Sequence, residues 1–306
     1  MNDTTLLLVG HGSRESAGNA EIHAFVHQWQ ARQPGWRIEV CFIEFAPPSL
    51  HDGLPQAAAG ARRVLVLPLI LNAAGHVKME IPEAIEHARA HAPGVDFLYA
   101  PHLTACDPIL KILQRRLKQA MAALDMPDPR GTGVILLGRG SSDRAANGEM
   151  AKMARWLQES GEHELVELAF TGITWPRLER VVQRQALIGL RQIVVLPYYL
   201  YTGTLMQRIQ RQVAHLRAQY PQLRFECGTH FGFEPEIFQL LEQRVADLLA
   251  GLPDSRLPCD GCKYREIAHE LGHGHSHEHT HGPAAAQAPV HVHGYAHGHA
   301  PAAEPA

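Results

Sequence analysis

The sequence predicts an α/β protein of two tandem lobes, each a mostly parallel sheet flanked by helices, facing a central cleft, with a disordered histidine-rich C-terminal tail. Three observations predict it. A motif near the start recurs 128 residues later. In both copies, short runs that are apolar throughout alternate with stretches of helical periodicity. After about Leu252 the composition turns to Cys, His, Ala, Gly and Pro.

The repeat organises the chain. Leu7-Leu8-Val9-Gly10-His11-Gly12-Ser13-Arg14, followed by Gly18-Asn19-Ala20-Glu21, returns as Ile135-Leu136-Leu137-Gly138-Arg139-Gly140-Ser141-Ser142, followed by Asn147-Gly148-Glu149. Val64–Pro68 returns as Ile193–Pro197, and Phe97–His102 as Phe225–His230. The expected domains are therefore 1–124, 133–252 and a terminal segment 253–306, with linker composition over Asp125–Gly131. In the first copy, strands are expected at Leu6–Val9, Ile38–Phe42, Val64–Leu69 and Phe97–Tyr99. Runs without polar alternation suit parallel strands covered on both faces. Helices are expected at Ala20–Gln30, Leu50–Ala59, Ile81–His91 and Ile109–Leu124. Alternation of the two implies right-handed crossovers. In such sheets ligands gather at the carboxyl ends of the strands.

Composition narrows the function. The net charge is −3, so no global basic field points to nucleic acid. No apolar stretch is long enough to span a bilayer, and the Met1-Asn2-Asp3-Thr4 start lacks the basic residue of an export signal. Five cysteines do not form a disulfide framework, which points to a reducing, cytoplasmic setting. Histidine is the outlier, with 21 in the chain. Neutral imidazole is the commonest metal ligand, so this excess points to metal handling.

Three residues should meet at one sheet edge. His11 follows the first strand between two glycines, Glu44 closes the second strand region, and His76 follows the third strand after Gly75. Singly, each admits a structural role. Together, two imidazoles and a carboxylate suit a borderline divalent ion and a proton acceptor. The second copy carries Arg139 in place of His11 and Thr204 in place of His76, and Glu44 aligns near Gly172. The scaffold is kept and the ligands are gone, which predicts one core metal site rather than two. Arg139 would face the cleft, suited to an anion.

The Gly10-His11-Gly12-Ser13-Arg14 segment, taken with Gly75-His76-Val77-Lys78-Met79-Glu80-Ile81-Pro82, resembles the class II chelatases of the CbiX type. The resemblance runs to about Arg265 and fits the long, fused form rather than the short form that dimerises. It implies a lyase that inserts a divalent ion, Co²⁺ in the first instance, into the octacarboxylate sirohydrochlorin during anaerobic cobalamin biosynthesis. Fe²⁺ or Ni²⁺ insertion, for siroheme or nickel tetrapyrroles, is the alternative within the same chemistry. It also implies that His11, Glu44 and His76 serve as metal ligands and proton acceptors or relays. Ser13, Arg14, Lys78 and Arg139 would pair with substrate carboxylates. The chain would act as monomer or homodimer.

The terminal segment leaves alternatives open. Cys259 and Cys262 can be half of a zinc site, a redox dithiol, part of an iron–sulfur site, or spare thiols. The tail histidines, from His273 to His299, suit storage or delivery of Co²⁺, Ni²⁺ or Zn²⁺. A metal store or metallochaperone acting through that tail is a competing reading. So is a two-lobed binder of a small anion.

Overall fold

The computed structural model describes residues 3–251. Cys259, Cys262 and the tail histidines lie outside the described residues. The first repeat contains β1 (Thr4–Gly10), α1 (Ser16–Arg32), β2 (Arg37–Phe42), α2 (Leu50–Ala58), β3 (Arg63–Pro68), α3 (Ile81–His91), β4 (Asp96–Tyr99) and α4 (Asp107–Ala123). The second contains β5 (Thr132–Gly138), α5 (Arg144–Glu159), β6 (Val166–Phe170), α6 (Leu178–Leu187), β7 (Gln192–Pro197), α7 (Thr204–Gln219), β8 (Arg224–Cys227) and α8 (Pro235–Leu249). Every strand pairing is parallel, in the orders β2-β1-β3-β4 and β6-β5-β7-β8.

The apolar strands are covered on both faces, as their patterning requires. Leu6, Leu7, Leu8 and Val9 are wholly buried, as are Val134, Ile135, Leu136 and Leu137. Successive strand side chains point to opposite faces. Accordingly, Leu7 and Val9 enter an outer core with α2 and α3, while Ile135 and Leu137 enter the matching core with α6 and α7. Leu6, Leu8, Val134 and Leu136 all enter one core shared by the two repeats.

That shared core comes from a helix exchange. α4, the last helix of the first repeat, packs on β7 and β8 of the second and against α5 and α8. α8, the last helix of the second repeat, packs on β3 of the first. Phe25 of α1 stacks against Phe233 and Phe238, with ring centroids 4.6 and 4.3 Å apart. Arg115 of α4 is bonded to Glu234 and Glu236, and Arg116 to Glu234. The two repeats therefore share one core.

Local signals set the helix starts. Ser49 accepts from the Asp52 amide and donates to its carboxylate at 2.6 Å, capping α2. Asp143 caps α5 by accepting from the Ala145 amide at 2.9 Å. α1 begins four residues before the expected Ala20 and runs two beyond Gln30; the small residues Ala17 and Gly18 carry the helix back to Ser16, with Gly18 buried. Cys41, Cys106 and Cys227 are free thiols. No described helix is long and apolar enough to cross a membrane.

Candidate metal centre

β1 lies between β2 and β3, so the carboxyl ends of these three strands open onto one point. His11 leaves the end of β1. Gly12 follows with φ +85°, and a Cβ there would lie 1.8 Å from the Glu44 carbonyl oxygen. Only glycine allows this approach. It lets the sheet pairing run on past both strands: Ile43 N–H donates to Gly10 O and Glu44 N–H to His11 O, each at 3.0 Å. Glu44 thus stands two residues beyond β2, held beside His11 by backbone rather than by the strand itself. His76 opens a single π-helical turn, His76–Glu80, that runs directly into α3. Such turns recur at functional sites because they re-aim side chains. Here the turn is fixed by Tyr99, whose hydroxyl donates to Val77 O at 3.0 Å.

The three ligands meet. One donor atom each from His11, Glu44 and His76 lie within 4.8 Å of one another, and all three side chains are half-buried. The two rings stand edge to face, centroids 4.8 Å apart and planes at 87°. His76 Nε2 is 3.9 Å from Glu44 Oε1, and its Nδ1 is 2.8 Å from Glu80 Oε1, close but poorly aligned for a hydrogen bond. His11 Nδ1 is 3.2 Å from Gly12 O, and its Nε2 is buried without a partner. With the proton on Nδ1, the orphaned Nε2 presents a lone pair to the site. Burial pulls the His11 pKa below its ordinary value, opposed by the Gly12 contact and assisted by His76 and Arg139. Burial thus favours the neutral ring, which can take a metal or a proton. A closed tetrahedral site has ligand atoms roughly 3.3–3.6 Å apart.

The second repeat reproduces the scaffold without the donors. Gly140 has φ +82°, and Gly172 N–H donates to Arg139 O at 3.1 Å, as Glu44 does to His11. So Arg139 takes the place of His11 and Gly172 that of Glu44, while Thr204 begins α7 behind Gly203. Arg139 is exposed and lies near enough to His11 to depress its pKa.

The remaining residues expected to bind substrate fall into two groups. Arg14 is exposed, with its guanidinium 4.8 Å above the Phe45 ring, free to turn toward an anion. Ser13 and Lys78 are already engaged. Ser13 exchanges two 2.8 Å hydrogen bonds with the Asn19 side chain, and its hydroxyl accepts from Glu15 N–H. Ser141 and Asn147 form the same latch in the second repeat, which marks it as loop scaffolding. Lys78 donates to Asp143 at 2.5 Å, tying the π-helical turn of one repeat to the cap of α5 in the other. Asp143 is only 4 % exposed and was not anticipated.

Sequence reasoning also passed over two reciprocal contacts. His230 Nε2 is 3.4 Å from Glu21 Oε2, and His102 lies under the influence of Glu149, which accepts from Thr104 and Ala105. The signal was present, since the 128-residue offset maps His102 on His230 and Glu21 on Glu149.

Comparison with known proteins follows the same division of the chain. The CbiX family model matches residues 5–120 and again 133–248. A sirohydrochlorin cobaltochelatase of Priestia megaterium is 36% identical over 264 residues, covering 85% of this chain and 84% of its own. A sirohydrochlorin ferrochelatase of the same organism is 29% identical over 80% of this chain and 90% of its own. Among solved structures, SirB from Bacillus subtilis with Fe³⁺ superimposes with a TM-score of 0.70 at 28% identity, over 81% of this chain and 98% of that one. The sirohydrochlorin chelatase SirB from Bacillus subtilis subspecies spizizenii, in complex with cobalt, gives 0.68 at 26% identity, over 83% and 98%.

Proposed function

The chain belongs to the CbiX family, and from that premise we propose that it is a sirohydrochlorin cobaltochelatase using His11, Glu44 and His76. The chemistry is metal chelation, a lyase reaction in which a divalent ion replaces two pyrrole protons of the macrocycle. The observation that carries the reading is the meeting of two imidazoles and a carboxylate at one sheet edge, opposite a guanidinium from the other repeat.

His11 and His76 hold the incoming ion through ring nitrogens, with Glu44 as the third ligand. The ion is substrate, so the donors must also let it go. Three donors leave coordination positions open for pyrrole nitrogens. As each metal–pyrrole bond forms, the displaced proton passes to a freed imidazole or to Glu44 and then to water. Charge balances: one divalent ion enters and two protons leave. Arg139 and Arg14 pair with macrocycle carboxylates and hold it over the ligands. Lys78 contributes indirectly, by fixing the turn that carries His76. The reaction proceeds in the cytoplasm.

Cobalt is favoured by the 36% identity to a cobaltochelatase, against 29% and 28% to ferrochelatases. Those same relatives support the second reading, Fe²⁺ insertion. The test is sirohydrochlorin metallation followed by absorbance with Co²⁺, Fe²⁺ or Ni²⁺, beside an uncatalysed blank and a His11→Ala/His76→Ala variant. Insertion lost in the variant supports the site, and the rate order ranks the ions. A variant as fast as the parent overturns the ligand assignment.

A further inference from the structure

α2 and α3 cover the outer face of the first sheet, away from the carboxyl edge that carries His11. Between them runs a groove of about 460 Å³. Its floor is apolar, built from Leu54, Ala58, Ala84 and Ala88 among others, and the only polar side chains lining it are three imidazoles, His51, His87 and His91. His87 and His91 stand four residues apart on α3, so they share a face. Their ring centroids are 4.3 Å apart. His51, in the first turn of α2, stands 6.3 Å from His87 with the ring planes at 86°. All three are exposed.

These distances bracket what one ion needs. Two imidazoles sharing an ion place their centroids roughly 4.5–5.2 Å apart, given metal–nitrogen bonds of about 2.0–2.1 Å and angles between square and tetrahedral. His87 and His91 are there within a few tenths of an ångström, and His51 must swing inward by about one. One tautomer is already chosen. His91 Nδ1 lies 2.8 Å from His87 O, so a proton there leaves Nε2 free as a donor atom. The lining contains neither carboxylate nor cation. An all-imidazole site suits Co²⁺, Ni²⁺, Cu²⁺ or Zn²⁺ and disfavours Mg²⁺ and Ca²⁺, which need oxygen.

The second repeat shows that the fold does not require this cluster. The 128-residue offset puts Glu179 at the place of His51, His215 at that of His87 and Gln219 at that of His91. Glu179 is bonded by Gln212 instead. α6 and α7 cover the same face of the second sheet with one histidine, His215, where the first repeat has three.

We propose that His51, His87 and His91 form a second transition-metal site, on the outer face of the first repeat and separate from the His11–Glu44–His76 centre. It is independent of the chelatase reading. The test is carbethoxylation of the full chain, read histidine by histidine by mass spectrometry, in rising Zn²⁺ or Co²⁺. His51, His87 and His91 should lose reactivity together while His215 stays reactive. His87→Ala should raise the ion concentration that half-protects His91 by at least the roughly tenfold that loss of even a supporting group costs. Metallation of sirohydrochlorin should be unchanged in that variant. Two results overturn the proposal. One is unaltered reactivity of His87 and His91 at saturating ion. The other is protection of His23 and His27, also four apart on α1 but without a third imidazole, over the same concentrations.

Discussion

Replacing Gly12 by alanine should separate the fold of this protein from its chemistry. Gly12 has φ +85°, where an L-residue costs about 1–2 kcal/mol. The new Cβ would sit 1.8 Å from Glu44 O and must retreat to at least 3.0 Å. That displacement breaks the Glu44 N–H to His11 O bond, a further loss of about 0.5–1.5 kcal/mol. The sum, about 1.5–3.5 kcal/mol, lowers the melting temperature by roughly 3–14 °C in a body of this size. The chemical cost is larger. A displacement of about 1 Å between Glu44 and the two imidazoles costs on the order of a hundredfold in rate. The control is Gly140→Ala. It has the same backbone conformation, φ +82°, but its Cβ would lie 2.6 Å from Gly172 O, beside no ligand. It should lose stability and keep its metallation rate at saturating sirohydrochlorin. The assay is paired calorimetry and absorbance-monitored Co²⁺ insertion on both variants. If Gly12→Ala unfolds earlier yet inserts metal at the parental rate, Glu44 is not held by that turn for catalysis and the argument fails.

Three further outcomes are expected. Arg14→Ala and Arg139→Ala should each weaken sirohydrochlorin affinity by roughly tenfold or more, the worth of one charge-assisted hydrogen bond; unchanged affinity in a binding titration would remove them from the substrate site. Lys78→Ala removes the ammonium that bonds the buried Asp143 carboxylate and should lower stability in denaturant unfolding by about 1–3 kcal/mol, whereas no measurable loss would mean that the bond adds nothing to the fold. Burial pushes His102 down to about 4. The unfolded chain therefore takes the proton first. The stability this burial permits is intact above pH 6.5 and declines by about 3 kcal/mol as the pH falls toward 4. His102→Gln should flatten that decline, and an unchanged slope in a pH series of unfolding curves would assign it to other groups.

Much of the site was legible because it lies on short-range grammar. Gly-His-Gly after an apolar run puts an imidazole at a strand end, and Gly75-His76 does the same one strand over. The repeat then showed which donors were dispensable to folding, since Arg139 and Thr204 replace them on an equal scaffold. Ser13 carries a scaffold role that the repeat displays, since its latch partner Asn19 recurs with it as Asn147. Lys78 could not have been placed in the same way. Its partner Asp143 is 65 residues away, and the second repeat alone supplies that carboxylate.

The sequence by itself determined the two parallel sheets, the duplicated order of elements and the edge at which His11, Glu44 and His76 gather. These follow from hydrophobic period, from glycine, and from a repeat that need only be counted. Tertiary structure alone decided which sheet each terminal helix covers. An apolar helix face fits either lobe, and only the closing of a shared core around Leu8, Leu136, Ile112 and Leu241 sends α4 to the second repeat and α8 toward the first. It also decided the groove of His51, His87 and His91. Those residues sit on two helices whose packing angle, not their spacing along the chain, brings three imidazoles to one place.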